Sequence, residues 1–271
     1  MMSSSAIVKK EGKQEKMNMK MSREIRKILY PMSEAIFDRL NSISNESEFE
    51  DLKTLVIEFT KKGGDLDTFE KCGYKLMLYV LSKYSFLNKY IGIYPHYYPK
   101  VVQLLLENGS NPNLYHTQSK KSSMYYLIIG FSNCNISSIL QMFSEYGFDF
   151  YSNFPPTLTF ALYLEKPHNI IKILIDNGAA VNYKNLIKRN VLNMYERMYE
   201  FSPIHELILN RAQAENEYRR KYGDETFRLL LDAGADLTLT NNRTGDTPLH
   251  AVAKIGDINL CKLFMEYCDF I

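Results

Sequence analysis

Residues of the types that bind metal ions stand close together at two places in the sequence, and at both places the spacing is wrong. His205 and Glu206 begin like the His-Glu-x-x-His helix of zinc proteases, but the second histidine ligand is replaced by Leu209. Asp65-Leu66-Asp67 begins like a calcium-binding loop, but Phe69 occupies the place of the next oxygen ligand and no glycine follows it. The sequence therefore predicts no metal site.

Motifs for phosphate binding and for acyl transfer are also missing from the sequence. It contains neither Gly-x-x-x-x-Gly-Lys, whose backbone amides cradle phosphates, nor the Gly-x-Ser-x-Gly turn that exposes a nucleophilic serine. Carboxylates are numerous, but no two of them have a spacing that places them in one cleft. We predict a protein that is not an enzyme and uses no cofactor, with an unrecognised catalytic constellation as the alternative.

The cysteines and the apolar runs indicate a compartment. Cys72, Cys134, Cys261 and Cys268 form no Cys-x-x-Cys pair, so we expect reduced thiols, as in the cytosol. The apolar runs are too short to span a bilayer, and the N-terminal lysines are not followed by the apolar core of a secretory signal. We expect an intracellular protein without a transmembrane segment, in the cytoplasm or in the nucleus.

Charge is concentrated at the N-terminus of a nearly neutral chain. The 271 residues carry a net charge of +2, with 45% hydrophobic and 24% charged residues, as is ordinary for a folded protein. Residues 1–30 hold eight lysines and arginines against three glutamates, whereas the small total charge makes nucleic acid an unlikely target of the whole molecule. We interpret residues 1–21 as a flexible basic tail, with a localisation signal or a contact to an acidic partner as the alternative.

An apolar run that ends in glycine recurs along the chain and predicts helices that stop at a turn. The markers are Gly63, Gly109, Gly147, Gly178 and Gly234, with Cys268 at the sixth position. Successive markers are 46, 38, 31, 56 and 34 residues apart. Glycine ends a helix well because it adopts a left-handed conformation without steric cost, and small or Asx residues follow it, as turns require.

A second pattern predicts where the first helix of each unit begins. Thr247-Pro248-Leu249-His250 opens a helix, because proline at the first helical position loses no hydrogen bond. Gly256-Asp257 interrupts that helix, and residues 258–267 follow as a second apolar helix. Ser202-Pro203-Ile204-His205 keeps most of this start, whereas Thr157 and Ser122 begin weaker versions.

These helix–turn–helix units resemble the ankyrin-repeat family, whose unit is about 33 residues long. The resemblance covers roughly residues 33–271 and implies an all-α ankyrin-repeat solenoid of about six repeats, some of them degenerate or with insertions. The expected bounds are a tail over 1–21 and a repeat domain over 22–271, with approximate repeats 33–69, 70–118, 119–153, 154–198, 199–243 and 244–271. Irregular repeats of this kind are similar in style to viral or intracellular-pathogen ankyrin proteins, which suggests a host–virus interaction.

The resemblance assigns structural roles to the repeat motifs. It implies that His205 and His250, at helix starts, hydrogen-bond locally and tie neighbouring loops together, and that His168 between two helices is structural too. The residues given a structural role in the repeats are Gly63, Gly109, Gly147, Gly178, Ser202, Pro203, His205, Gly234, Thr247, Pro248, Leu249 and His250.

Long gaps between markers predict insertions, and two of these are candidate contact surfaces. Residues 84–99 are rich in aromatic side chains, and Tyr94, Tyr97 and Tyr98 would suit an interface unless the segment packs over its own repeat. Residues 211–222 are charged, and we expect them to extend the first helix of their repeat. Arg219 and Arg220 would form its basic end, either solvated or in contact with an acidic partner. A third insertion is expected around residues 186–201.

The resemblance implies a protein–protein interaction module, an adaptor or inhibitor that binds a cellular protein, of a host in the viral case. It implies no small-molecule substrate and contact through the turn tips and inner helices. The residues expected there are Asn113, Tyr115, Tyr183, Lys184, Thr240, Asn242 and Arg243. Two alternatives stay open: the targeting part of a longer effector or enzyme-recruiting protein, or a basic tail that binds nucleic acid or a membrane.

Overall fold

The computed structural model describes residues 25–71, 73–87, 97–119, 121–130, 136–151, 157–165, 168–183, 202–212, 217–241 and 244–268. Within these ranges the chain forms helices in consecutive pairs and one short hairpin. The helices are α1 (residues 25–40), α2 (Glu46–Lys61), α3 (Leu76–Leu87), α4 (Tyr97–Glu107), α5 (Ser123–Gly130), α6 (Ile136–Glu145), α7 (Thr157–Tyr163), α8 (His168–Asp176), α9 (Pro203–Ala212), α10 (Glu217–Asp232), α11 (Pro248–Ile255) and α12 (Ile258–Cys268). The predicted all-α class is confirmed, and the described helices make six pairs.

The chain divides into two compact units, residues 1–111 and 112–271. The first unit contains α1 to α4 and the strands β1 (Glu70–Lys71) and β2 (Tyr74–Lys75), which pair antiparallel with Glu70 opposite Lys75. Its second helices, α2 and α4, pack on each other. The ring of Phe37 on α1 meets that of Tyr79 on α3 edge to face, with centroids 5.1 Å apart.

The second unit stacks its helices in two rows. The first helices contact one another in the order α5, α7, α9, α11, and the second helices in the order α6, α8, α10, α12. Phe160 on α7, Leu174 on α8 and Phe227 on α10 are fully buried. A single pair cannot bury its apolar face, so stacking provides the continuous core on which the stability of a repeat protein depends.

Helix α11 begins and ends where the sequence predicts. The side chain of Thr247 accepts a hydrogen bond from the backbone N–H of His250, and the His250 side chain caps the backbone N–H of Thr247 in return. Pro248 is the first helical residue, and Gly256 ends the helix in the left-handed region with φ 71°. These caps leave only the short link Gly256-Asp257 before α12.

The insertion at 211–222 is organised differently from the prediction. Helix α9 stops at Ala212, and residues 217–222 belong to the start of α10, so the expectation that the insertion extends the first helix is wrong. The side chain of Arg211 is only 3% exposed and forms ion pairs with Asp224 (3.0 Å) and Asp257 (3.4 Å). A Cβ atom at Gly223 would lie 2.8 Å from Cδ of Arg211, so glycine within α10 makes room for this side chain.

The aromatic insertion lies partly within the described residues. Helix α3 reaches Leu87, and Tyr97 and Tyr98 form the first turn of α4 with exposures of 6% and 1%. The ring of Tyr97 packs on that of Phe49 of α2, with centroids 5.9 Å apart. These two tyrosines therefore contribute to the core of their own unit. The predicted tail at 1–21 and the insertion expected at 186–201 lie outside the described residues.

Candidate functional site

Five turns with one backbone shape follow the second helices. Each starts at a marker glycine in the left-handed region, with φ between 74° and 89°, at Gly63, Gly109, Gly147, Gly178 and Gly234. The next residue donates its N–H to the carbonyl five residues back, as Ala179 does to Leu174 at 2.9 Å and Ala235 to Leu230 at 3.0 Å. This is the Schellman arrangement, which satisfies the last carbonyls of a helix. We call these segments the helix-end turns: residues 63–67, 109–113, 147–151, 178–182 and 234–238.

The last residue of a helix-end turn reaches the next turn through its side chain. The amide of Asn113 donates to the Gly147 carbonyl (3.0 Å) and accepts from the N–H of Asp149 (2.8 Å). Asn182 repeats the same pair of bonds, donating to the Gly234 carbonyl (2.8 Å) and accepting from the N–H of Asp236 (2.7 Å). One carboxamide thus satisfies two backbone groups of its neighbour, and we call such a pair a turn bridge.

A carboxylate forms the bridge in the first unit. Asp67 accepts from the N–H of Asn111 (2.8 Å) and from the hydroxyl of Ser110 (2.8 Å). A carboxylate has no proton to give to the glycine carbonyl, so the hydroxyl beside that glycine supplies the second bond instead. Burial raises the pKa of Asp67, although both of these hydrogen bonds act to lower it.

Aspartates stabilise three of the turns from within. The carboxylates of Asp65, Asp149 and Asp236 each accept the backbone N–H two residues later, at 2.8, 2.9 and 2.8 Å. Such Asx turns hold the backbone without help from a neighbouring repeat. Hydrogen bonds from the side chain and the backbone of Thr238 hold the pKa of Asp236 below its usual value.

Two finger loops lead from helix-end turns to the next first helix. The first, residues 114–123, closes through a bridge between Tyr115 and Ser122 and a bond from the N–H of Ser123 to the Leu114 carbonyl (2.9 Å). In the second, residues 241–247, the N–H of Asn241 donates to the Asp246 carbonyl at 2.7 Å. In the described part of these loops, Tyr115 is exposed.

The histidines at helix starts make the local contacts that the resemblance implies. In the buried side chain of His205, Nδ1 lies 2.8 Å from the Ser202 hydroxyl and Nε2 lies 3.1 Å from the Asp246 carbonyl, so it joins α9 to the second finger loop. His250 contacts the hydroxyl of Thr247 at 2.8 Å. Because both nitrogens of His205 contact protein groups, its ring is part of the scaffold.

His168 joins two second helices. Its ring stacks on Tyr222 with centroids 4.8 Å apart, Nδ1 lies 3.0 Å from the Thr226 hydroxyl, and Nε2 lies 2.5 Å from a carboxylate oxygen of Glu225. These contacts place the start of α8 against α10 and give His168 a structural role.

The predicted contact residues fall into four groups. Tyr115 is 39% exposed, Thr240 is exposed and Tyr183 is partly exposed, so these three lie on the surface. Asn113 has both ends of its amide in a turn bridge, and Tyr97 and Tyr98 are buried. Arg219 and Arg220 lie on α10, and outside the described residues are Tyr94, Lys184, Asn242 and Arg243.

Sequence reasoning missed the turn bridge, although its signal is simple. Counting four residues on from each marker glycine gives the bridging position of every turn. The residues at that position are Asp67, Asn113, Tyr151, Asn182 and Thr238. Asn113 was expected to meet a partner, whereas its amide connects two turns of the protein itself.

Among the described residues, no group of three or more His, Cys, Asp or Glu side chains is placed to hold a metal ion. No helix in that part of the chain has both the length and the apolar character needed to cross a membrane.

Residues 223–264 match the model of the family described as ankyrin repeats in many copies. The matched segment contains most of α10, the second finger loop, α11 and part of α12. Over these residues the predicted ankyrin resemblance is confirmed. Comparison with curated proteins found no match. Among solved structures, the crystal structure of the ankyrin repeat domain of Bcl-3, described as a unique member of the IkappaB protein family, is 16% identical with a TM-score of 0.43, covering 87% of this chain and 97% of that one.

Proposed function

We propose that this chain is an intracellular protein-binding module without catalytic activity, which acts as an adaptor or inhibitor by occupying a cellular protein. The observation that carries this proposal is the repeated, internally hydrogen-bonded turn. Because Schellman bonds, Asx turns and turn bridges fix the backbone, a partner that docks there orders few groups on binding. Loops on a fixed scaffold are where binding residues concentrate.

Exposed aromatic residues at these loops support the same function. Tyr115 on the first finger loop is 39% exposed and Tyr151 at the end of a helix-end turn is 66% exposed. Tyrosine offers a large contact area for little loss of side-chain entropy, which makes it frequent at interfaces. The ankyrin match over residues 223–264 agrees with a role in protein binding. The irregular, insertion-rich repeats favour a host protein as the target.

The charge of the N-terminus favours a second candidate. Residues 1–30 hold eight lysines and arginines against three glutamates, and a basic segment of this kind binds anionic polymers or membranes. This candidate requires that binding falls steeply with salt and is lost with the basic residues. The tail should be removed only as far as residue 21, because α1 is helical from residue 25 and Leu29 is buried.

Affinity capture from cell extract identifies the partner. It is carried out with the intact chain and with a chain lacking residues 1–21. Binding of the purified partner is then measured for Tyr115→Ala and for Tyr146→Ala. Tyr146 is the matched control for Tyr115. The two side chains are 40% and 39% exposed, and only Tyr115 lies on a finger loop. We expect Tyr115→Ala to weaken binding roughly tenfold, as the loss of a contact of about 1.4 kcal/mol would, and Tyr146→Ala to leave it unchanged.

Two results would contradict the binding-module proposal. One is that neither chain retains a protein in a fixed ratio. The other is that only the intact chain retains material, that this material is nucleic acid or lipid, and that salt releases it. The second result would transfer the function to the basic tail.

A further inference from the structure

One helix-end turn of the second unit does not receive the bridge that others receive. Asn113 bridges to the turn at Gly147, and Asn182 bridges to the turn at Gly234. The turn between them, residues 178–182, would be bridged from position 151, which is a tyrosine. The phenol of Tyr151 extends well beyond the short reach of an asparagine amide, and this side chain is 66% exposed.

The same turn also lacks the internal support of an Asx turn. The position that holds Asp149 and Asp236 in the neighbouring turns is occupied by Ala180. Within the described part of the chain, neither the Gly178 carbonyl nor the Ala180 N–H has a hydrogen-bond partner. These are the groups that correspond to the bridged carbonyl of Gly234 and the bridged N–H of Asp236.

A groove is lined by the residues that carry these two backbone groups. Its volume is about 240 Å³, and it is lined by Tyr151 and by the five turn residues Gly178, Ala179, Ala180, Val181 and Asn182. The groove is large enough for an amino-acid side chain and lies at the surface, since Gly178 and Asn182 are exposed. The missing bridge and the groove are therefore both found at the turn of residues 178–182.

We infer that this groove binds a primary carboxamide, the side chain of an asparagine or glutamine on a protein partner, which completes the interrupted turn bridge. The carboxamide nitrogen donates to the Gly178 carbonyl, and its oxygen accepts from the N–H of Ala180. The inference deepens the proposed function and rests on it, because it names the chemistry of the partner at one turn. Asn182 and Asn113 show the required pair of bonds in this same protein.

A carboxylate fits this groove less well than a carboxamide. Asp67 forms its bridge because Ser110, next to the marker glycine, supplies a hydroxyl proton. At the interrupted turn the equivalent residue is Ala179, which has no hydroxyl. A carboxylate would therefore face the Gly178 carbonyl with no proton between the two oxygens, and buried or unpaired acceptors of this kind are costly.

A backbone peptide group of the partner also fits less well. In a trans peptide the N–H and the C=O point in opposite directions, so one peptide unit cannot bond to both groups on the same side. A primary carboxamide carries an N–H on the same side as its oxygen. A single peptide unit therefore replaces the carboxamide of an Asn or Gln side chain poorly.

Tyr151 borders the groove and provides contact area beside the carboxamide, and Tyr183 directly follows the turn in sequence. Burial raises the pKa of Tyr183, and the nearby Tyr151 raises it further. The exposed ring of Tyr151 is available for an apolar group next to the Asn or Gln of the partner.

The test uses the intact, isotope-labelled chain and three small probes followed by nuclear magnetic resonance. The probes are the N-acetyl, N-methylamide derivatives of asparagine, aspartate and leucine, which have nearly the same shape. We expect the asparagine probe to shift the Ala180 N–H signal saturably at millimolar concentration. The aspartate and leucine probes should shift it at least fivefold less. Equal responses to all three probes, or none to the asparagine probe, would overturn the inference.

Tyr151→Asn should close the site from within. The new amide would bridge to Gly178 and Ala180 as Asn182 bridges to Gly234, so the melting temperature should rise by about 2–4 °C and the Ala180 signal should no longer respond. Tyr151→Phe is the matched control, since it keeps the ring and adds no amide, and it should respond like the native chain. A Tyr151→Asn chain that binds the probe as well as the native chain does would refute the interrupted bridge.

Binding of the captured partner separates this inference from the proposed function. Loss of at least tenfold in affinity with Tyr151→Asn, and the same loss when one Asn or Gln of the partner is changed to Leu, supports both. A partner that depends on Tyr115 but binds Tyr151→Asn normally leaves the proposed function standing and overturns the inference. A saturable asparagine response at Ala180 without any protein partner supports the site and overturns the proposed function.

Discussion

The turns that follow α8 and α10 have the same backbone and different support. Gly178 and Gly234 have φ values of 87° and 83°, and in both turns the following N–H returns to the helix at 2.9 and 3.0 Å. The turn at Gly234 receives the amide of Asn182 and contains the Asx turn of Asp236. The turn at Gly178 faces Tyr151 and contains Ala180.

This difference shows that different residues set the backbone shape of a turn and link the turn to the next repeat. The helix end and its glycine set the shape of the backbone, since the shape persists where the bridging side chains are missing. The bridge links that shape to the next repeat and occupies its polar groups. A repeat can therefore give up one bridge, keep its turn, and present the unoccupied backbone groups of Gly178 and Ala180 to a partner.

The largest loss of stability is expected from changes at the left-handed glycine, which the two turns share. Gly178→Val and Gly234→Val each place a branched residue in the left-handed region, which costs about 2 kcal/mol of the free energy of unfolding. The cost is conformational, because an added Cβ at either position meets nothing within 4 Å. Chemical denaturation of both variants measures it.

Asparagine provides the control for these two variants, because it tolerates the left-handed region. Gly178→Asn and Gly234→Asn should lose less than half as much stability as the valine variants. If either valine variant unfolds at the same denaturant concentration as the native chain, that glycine does not set the shape of its turn.

A smaller loss of stability is expected from changes at the bridging position, where the two turns differ. Asn182→Ala removes both bonds of a bridge and should destabilise the chain by about 1 kcal/mol, and Asn113→Ala should do the same. Tyr151→Ala stands at the equivalent position but removes no bridge, so it should change stability by less than about 0.5 kcal/mol. A loss of stability in Tyr151→Ala as large as that in Asn182→Ala would mean that the turn at Gly178 is bridged after all.

The sequence predicts the helix pairs well because their signals are local. The caps at Thr247-Pro248 and Gly256 depend on residues within one turn of the helix, and α11 has both ends where those residues place them. The left-handed glycines follow from the recurrence of an apolar run and a glycine. The match of residues 223–264 to ankyrin repeats includes the helix start at Thr247-Pro248.

Contacts between helices and between turns are harder to predict because they join residues that are not neighbours in sequence. Gly223 directly follows the insertion at 211–222 in sequence, and only the structure shows that it lies within α10 and makes room for Arg211. Tyr97 and Tyr98 have the composition of an interface, and only the packing against α2 shows that they are core. Asn113 and Asn182 are ordinary turn residues until the neighbouring turn is in place.

The smallest expected effect is a pH dependence of stability. It arises in the turn at Gly234, which contains Asp236, and not in the turn at Gly178, which contains Ala180. Hydrogen bonds from Thr238, 2.6 Å from its hydroxyl and 2.8 Å from its N–H, hold the pKa of Asp236 below the ordinary value of 3.8. A carboxyl whose pKa is lower in the folded state stabilises the fold at every pH above its unfolded value. That contribution is lost as the pH falls through the lowered folded pKa.

Asp236→Asn tests this contribution, because the amide still accepts a hydrogen bond but does not titrate. We expect the stability difference between the native chain and Asp236→Asn to be constant from neutral pH to about 4.5 and to shrink below that. Ala180→Asp places the missing carboxylate in the other turn, opposite the N–H of Asn182, and should add a dependence of the same sign. A difference between the native chain and Asp236→Asn that does not change with pH would show that the Asx turn of Asp236 gives the turn at Gly234 no support through its charge.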